Sequence, residues 1–404
     1  MTRAPVRSRL LLLPLLMTGV TGCAAPDTRG SEAPVVYGTD DREDVYAHPS
    51  ASLRTLAHES IVALIRNTRL EEQMDGGYER TPTLTLGEAY DLCADERFID
   101  QPTSAFCSGT LVAPDIVVTA GHCIETLSEC QGTSFVFDYL YTADGVLAPL
   151  EADDVYGCTA ILSRQDGVLD YAYLRLDREV VGHTPATLSP GVGSTCRNVV
   201  DEEAVAVLGF GSGLPLKIDD GGAVTNPSSR GTNFFLTSLD TFAGNSGSGV
   251  FNTDGELVGV LSSGLGDYRE RAGEGCDEVN TLSETFGAEQ IGHLLPTLLR
   301  YCDDAAAPDS TLCAAAEAAC PGGPMPDLGM ADLGMSDAGT DPDVGIEDDA
   351  GSDGAVADMG APRPGSSGCG CRVTGEAPVA GPAAWLVALL ASLGWRRRRR
   401  ANAS

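Results

Sequence analysis

Between residues 35 and 302 the apolar residues come in strand-length runs broken by turn signals, and this pattern limits the fold more than any other feature of the chain. Phe106–Leu111, Ile116–Ala120, Ser134–Tyr141, Tyr171–Leu176, Ala204–Phe210, Val250–Asn252 and Glu256–Leu261 all read as strands. Asn252-Thr253-Asp254-Gly255 joins the last two as a hairpin turn, with Gly255 supplying a positive φ. Helical periodicity is strong only over Leu53–Leu64 and over Glu289–Tyr301, where Ile291, Leu294, Leu295, Leu298 and Leu299 line one side. Pro296 lies inside the second run and kinks it or moves its start. The expected body is mainly β with a C-terminal helix.

Composition narrows the compartment and the partners. The 404 residues are 43% apolar, enough for a substantial core and for two or three domains, or one large two-lobed domain with tails. Thirteen cysteines without paired C-x-x-C and histidine spacing point to an oxidising compartment rather than to bound metal. Lys and Arg number 26 against 58 Asp and Glu, and only Lys217 is a lysine. A net charge of −32 excludes nucleic acid as a partner, because no face of such a chain tracks a polyanionic backbone. Nothing in the composition calls for a cofactor.

The two ends read as targeting segments. Residues 1–22 carry Arg3, Arg7 and Arg9, then the apolar run Leu10–Val20, which is a signal peptide too short for a stable span. Val20-Thr21-Gly22-Cys23 resembles the bacterial lipoprotein box, which implies lipidation at Cys23 and makes residues 23–34 a tether; cleavage after Ala25 is the competing reading. Residues 369–400 hold Cys369-Gly370-Cys371, the apolar stretch Val379–Trp395 and Arg396–Arg400. That arrangement resembles the MYXO-CTERM type of sorting tag, whose short transmembrane segment and basic stop leave the body outside the membrane. A plain tail anchor is the alternative. Residues 303–368 form an acidic linker, and 303–360 contain 14 acidic residues with no Lys or Arg. Such a stretch reads as disordered and self-repelling, and without EF-hand spacing it reads as a solvated spacer rather than a calcium site. Export follows, to the outer membrane or cell surface, held by a lipid anchor and a C-terminal tag or released from them.

Three segments carry chemistry. Phe106-Cys107-Ser108-Gly109-Thr110-Leu111-Val112 leads to Val118-Thr119-Ala120-Gly121-His122-Cys123, which places a histidine directly after a strand. Leu169-Asp170-Tyr171-Ala172 opens an alternating strand 48 residues later, and neither Asp166 nor Asp177 precedes such an aromatic-Ala pair. Gly244-Asn245-Ser246-Gly247-Ser248-Gly249 surrounds a serine with glycines that let the backbone bend tightly and aim two N–H groups at one point. His48, His58, His183 and His293 have no such context and read as surface or core histidines.

Together these residues resemble the chymotrypsin-fold serine peptidases, and Gly-Asn-Ser-Gly-Ser is similar to the nucleophile loop of the glutamyl endopeptidase and exfoliative toxin branch. Val36-Tyr37-Gly38-Thr39-Asp40-Asp41-Arg42 resembles the opening of many bacterial members. The resemblance implies two antiparallel β-barrels over residues 35–302, a monomeric catalytic domain, and hydrolysis of peptide bonds in a protein or peptide substrate through an acyl-enzyme. It implies a triad of His122, Asp170 and Ser246, an oxyanion hole from the amides of Gly244 and Ser246, and a Cys107–Cys123 disulfide. Cys130 and Cys158 bracket a strand and form a second candidate pair, while Cys93, Cys196, Cys276, Cys302, Cys313 and Cys320 are left unpaired by this reading. Asp240, Ser262 and Gly264 are the candidate substrate-pocket residues. Asp240, six residues before Ser246, would attract Arg or Lys, or else hydrogen-bond loop amides; Leu261 stands where glutamyl endopeptidases place a substrate-binding histidine. A catalytically silent binding or adhesion protein of the same fold is the alternative, and the intact triad argues against it. A lipase or esterase reading lacks the leading glycine of Gly-x-Ser-x-Gly.

Overall fold

The computed structural model describes residues 36–319, apart from 75, 168, 192–198, 230–232, 265 and 284–286. The signal segment, Cys23, the acidic stretch beyond 319, Cys369, Cys371 and the apolar run 379–395 lie outside the described residues. Numbering only the barrel strands in chain order, the first six are β1 (Ile61–Arg66), β2 (Ala105–Ala113), β3 (Ile116–Thr119), β4 (Thr133–Val136), β5 (Val155–Gln165) and β6 (Tyr171–Leu176). They close an antiparallel barrel in the ring order β1-β2-β3-β6-β5-β4.

The next six are β7 (Ala204–Gly209), β8 (Lys217–Ser229), β9 (Phe234–Thr237), β10 (Gly249–Phe251), β11 (Leu257–Ser263) and β12 (Glu289–His293). Their ring, β7-β8-β9-β12-β11-β10, repeats the first topology with every number raised by six. Glu43–Asp44 adds a short strand along β8, where Lys217 forms a buried ion pair with Asp44 at 2.8 Å.

Alternation along the strands fills both rings. Val62, Leu64, Leu111, Val117, Phe135 and Leu174 pack in the first core, and Val207, Val224, Phe235, Val250, Val258 and Ile291 in the second. Each such side chain contributes about 1.5–3 kcal/mol relative to exposure. A further cluster joins the two barrels: Tyr139 stacks on Phe210 with centroids 5.9 Å apart, and Tyr173 meets Tyr301 at 4.6 Å.

Several boundaries differ from expectation, for physical reasons. The first helix, α1, spans only Ala51–Ser60, because the β-branched pair Ile61-Val62 goes into β1 and pairs with Gly109 and Thr110. Likewise Glu289–His293 is a strand, and α2 begins after it at Leu294–Asp304. Pro296 therefore sits in the first turn of α2, where its missing N–H costs nothing. The expected strand Ser134–Tyr141 is interrupted at Asp138, whose φ of 53° turns the chain.

The folded body also extends past the expected start of the linker at 303. α2 runs to Asp304, α3 spans Ser310–Ala319, and the Cys302–Cys313 disulfide ties the two helices together. Leu312 and Ala316 of α3 are buried, so this part of the acidic segment has enough apolar surface to order. Disulfides also join Cys107 to Cys123, Cys130 to Cys158, and Cys93 to Cys276 across 183 residues.

Candidate active site

β3 and β6 are antiparallel neighbours with Ala172 opposite Thr119, and that register brings Asp170 beside His122. Asp170 Oδ1 accepts the backbone N–H of His122 at 3.0 Å, and Oδ2 lies 2.8 Å from His122 Nδ1. Because the carboxylate can only accept, Nδ1 carries the proton and Nε2 is left to the cleft. From the second barrel, Ser262 Oγ donates to the same Oδ2 at 2.8 Å. Asp170 is buried and His122 is 39% exposed, so one end of the pair is shielded and the other open.

The electrostatics match this arrangement. The Asp170 hydrogen bond raises His122 above its ordinary range, against the opposing effect of partial burial. Burial works to raise Asp170, but the hydrogen bonds and charge of His122, with the Ser262 bond, hold its carboxyl below the usual range.

Ser246 lies in the turn between β9 and β10. The first barrel grips that turn through one residue, since Ser108 N–H donates to Ser246 O at 2.9 Å and Ser108 Oγ to Gly244 O at 2.8 Å. Gly247 has φ +86°, and a Cβ there would lie 2.1 Å from Thr119 Oγ1, so only glycine fits. Gly244 has φ +99°. The amides of Gly244 and Ser246 donate no hydrogen bond among the described residues, which leaves both for a ligand oxygen. Asn245 is buried and uncharged, its N–H on Phe242 O and its Oδ1 accepting Ser248 Oγ.

His122, Asp170, Ser246, Ser262 and Gly264 line one cleft of about 320 Å³ between the barrels. No hydrogen bond links His122 to Ser246, and catalytic hydrogen bonds of this kind commonly tighten only when substrate binds. Asp240 is the exception among the candidate pocket residues. It is buried outside the cleft, and its two oxygens accept the backbone N–H groups of Tyr37 at 2.8 Å and Asp41 at 3.0 Å. Its N–H in turn donates to buried Asp219, and burial raises both carboxyls. Asp240 therefore fastens the N-terminal segment rather than facing a substrate.

Besides Asp170, the cleft is lined by a second acid, Asp267, which the sequence reading missed. Its Oδ2 accepts the N–H of Ala243 at 2.9 Å. Burial pushes its carboxyl up to about 6, against the pull of that N–H and of Arg42. Arg42 lies 3.7 Å from the Phe242 ring centroid and is paired with Asp40 at 2.8 Å. No local motif marks Asp267, because its place depends on the loop after β11 folding back onto Ala243.

Two barrels of this topology, mainly β and closed by C-terminal helices, make the fold that of chymotrypsin. Residues 107–260 match the family described as the trypsin-like peptidase domain, a match that supports a serine-type peptidase hydrolase acting on protein or peptide. No curated protein sequence matches the chain significantly. Solved structures similar to it include a Glu endopeptidase in complex with MPD, at 16% identity and TM-score 0.39, covering 67% of this chain and 98% of that one. The VesB protease of Vibrio cholerae is 17% identical with TM-score 0.36, covering 63% and 64%. The Rv3671c protease of M. tuberculosis, in an inactive form, is 13% identical with TM-score 0.36, covering 64% and 98%.

Proposed function

We propose that the protein is an exported, surface-attached serine endopeptidase that works through His122, Asp170 and Ser246. The observation that carries this reading is the hydrogen-bonded row Ser262, Asp170, His122 opening onto the cleft that Ser246 also lines. A serine hydroxyl is a poor nucleophile at neutral pH, so His122 Nε2 takes its proton as Oγ attacks the substrate carbonyl. Asp170 keeps the proton on Nδ1 and stabilises the imidazolium that forms. The Gly244 and Ser246 amides receive the oxyanion, and loss of one such donor costs roughly 3–4 kcal/mol in related chemistry. His122 then returns its proton to the leaving amine, and water repeats the sequence to release the acyl group.

Asp267 gives the cleft a preference for a basic substrate side chain, because a charge in that position is left unpaired with other residues. Attachment rests on the lipoprotein-like Cys23 and the tag around Cys369 and Cys371.

A fluorophosphonate probe tests the chemistry. The folded wild type should label on Ser246 and Ser246→Ala should not; an unlabelled wild type would instead favour a silent binding protein. Mass spectrometry of the mature termini decides the attachment.

A further inference from the structure

Two histidines without sequence context meet two aspartates on the first barrel, and none of the four lines the cleft. His183 Nδ1 is 2.7 Å from the carbonyl oxygen of His58. A carbonyl only accepts, so Nδ1 carries a proton and the neutral ring presents a bare lone pair at Nε2. That atom lies 3.7 Å from Asp154 Oδ1, and with an oxygen of Asp138 the three donor atoms fall within 4.8 Å of one another. Three electron-rich atoms converging in this way require either a proton or a cation between them.

The surroundings fix each donor. Phe137 stacks on the His183 ring at 4.2 Å and 19°, and the ring is only 7% exposed. Asp154 Oδ2 accepts the N–H of Glu151 at 2.8 Å, which turns Oδ1 toward His183. His58 Nδ1 holds Asp138 Oδ1 at 2.8 Å. Metal-binding histidines and carboxylates are supported from behind in this manner, the histidine by a backbone carbonyl and the carboxylate by a hydrogen bond. In a tetrahedral zinc site the donors stand roughly 3.3 Å apart, so the 3.7 Å between His183 and Asp154 needs to close by about 0.4 Å and the Asp138 oxygen, within 4.8 Å of both, by about 1.5 Å at most.

We propose that His183 Nε2 and the carboxylates of Asp138 and Asp154 form a binding site for a divalent transition-metal ion of zinc type, with water completing the set. One imidazole among two carboxylates suits such an ion better than calcium, which takes oxygen ligands alone. The bound ion joins three loops of the first barrel: the turn after β4, the approach to β5 and the segment after β6. Through the His58 carbonyl and ring it also ties down the end of α1. The role is structural and separate from the peptidase reading.

Calorimetric titration of the chelator-treated full chain with zinc chloride tests the site. One equivalent should bind and raise the melting temperature, with His183→Gln and Asp154→Asn each weakening that equivalent by more than tenfold while keeping the wild-type circular dichroism spectrum. His58→Gln, which removes only support, should weaken it by about tenfold. Failure of the wild type to bind zinc would overturn the proposal and leave a protonated His183 in an ion pair. So would binding unchanged in the His183 and Asp154 variants, or calcium binding in preference to zinc.

Discussion

Ser262 Oγ stands 2.8 Å from Asp170 Oδ2, so a residue of the second barrel holds the carboxylate that the first barrel supplies to His122. The second barrel thus adds a hydrogen bond to a carboxylate that the register of β3 and β6 already places beside His122.

Ser262→Ala should lower kcat by about tenfold with little change in KM. A hydrogen bond to a charged acceptor contributes about 1.5–3 kcal/mol, and part of that reaches the transition state through the Asp170 charge. Steady-state kinetics on a peptide substrate measures it. An unchanged kcat would mean that His122 alone holds Asp170.

The activity should rise with pH through a value above 6.5, because Asp170 favours protonated His122 and only the neutral ring can act as base. Protonation below that value removes the base. Asp170→Asn should shift this limb to lower pH and reduce kcat by roughly 10⁴-fold, as the equivalent change does in triad enzymes. A pH profile of kcat/KM for both proteins checks the direction.

Asp267→Asn should reduce kcat/KM for peptides with Arg before the scissile bond by about 100-fold relative to neutral side chains. Asp240→Ser should leave that ratio unchanged and lower the melting temperature, since Asp240 anchors Tyr37 and Asp41. The ratio should also fall below about pH 6 as the Asp267 carboxyl protonates, and taking a ratio cancels the titration of His122. Library profiling over a range of pH gives all three readings.

Replacing both Cys107 and Cys123 with alanine should cost about 3 kcal/mol, the loop-entropy value for a closed loop of about 15 residues. The loss should appear in the midpoint of a denaturant titration. Because the bridge lies directly beside His122, activity should fall by more than stability alone explains.

A protein with additional residues ahead of Val36 should be as active as one trimmed there. The Tyr37 N–H that Asp240 binds is a peptide amide, and uncharged Asn245 offers no partner for a new amino terminus. Strict dependence on cleavage would contradict this.

The local motifs were legible in the sequence because their residues are contiguous with the strands that position them. His122 follows β3, Asp170 precedes β6, and the glycines that shape the Ser246 turn adjoin it. What was not legible depends on distant contacts. β8 reads Lys-Ile-Asp-Asp-Gly-Gly-Ala-Val-Thr-Asn-Pro-Ser-Ser, with few apolar residues, and is a strand because β7, β9 and Glu43–Asp44 pair with it. Asp240 and Asp267 are both acids near the serine in the fold, and only tertiary structure shows which one lines the cleft. The helix-to-strand change at Ser60 and Ile61 is hidden for the same reason, since barrel pairing overrides a locally amphipathic run.

The Cys93–Cys276 bond decides how the molecule withstands a cut in its chain. Cys93 precedes β2 and Cys276 follows β11, so the bond spans the whole stretch 177–203 that leads from one barrel to the other. A single nick in that stretch would yield a two-chain protein of unchanged mass apart from one water, still joined at the sulfurs. Only reduction would part the halves, so damage of this kind would be invisible on a gel run without reductant.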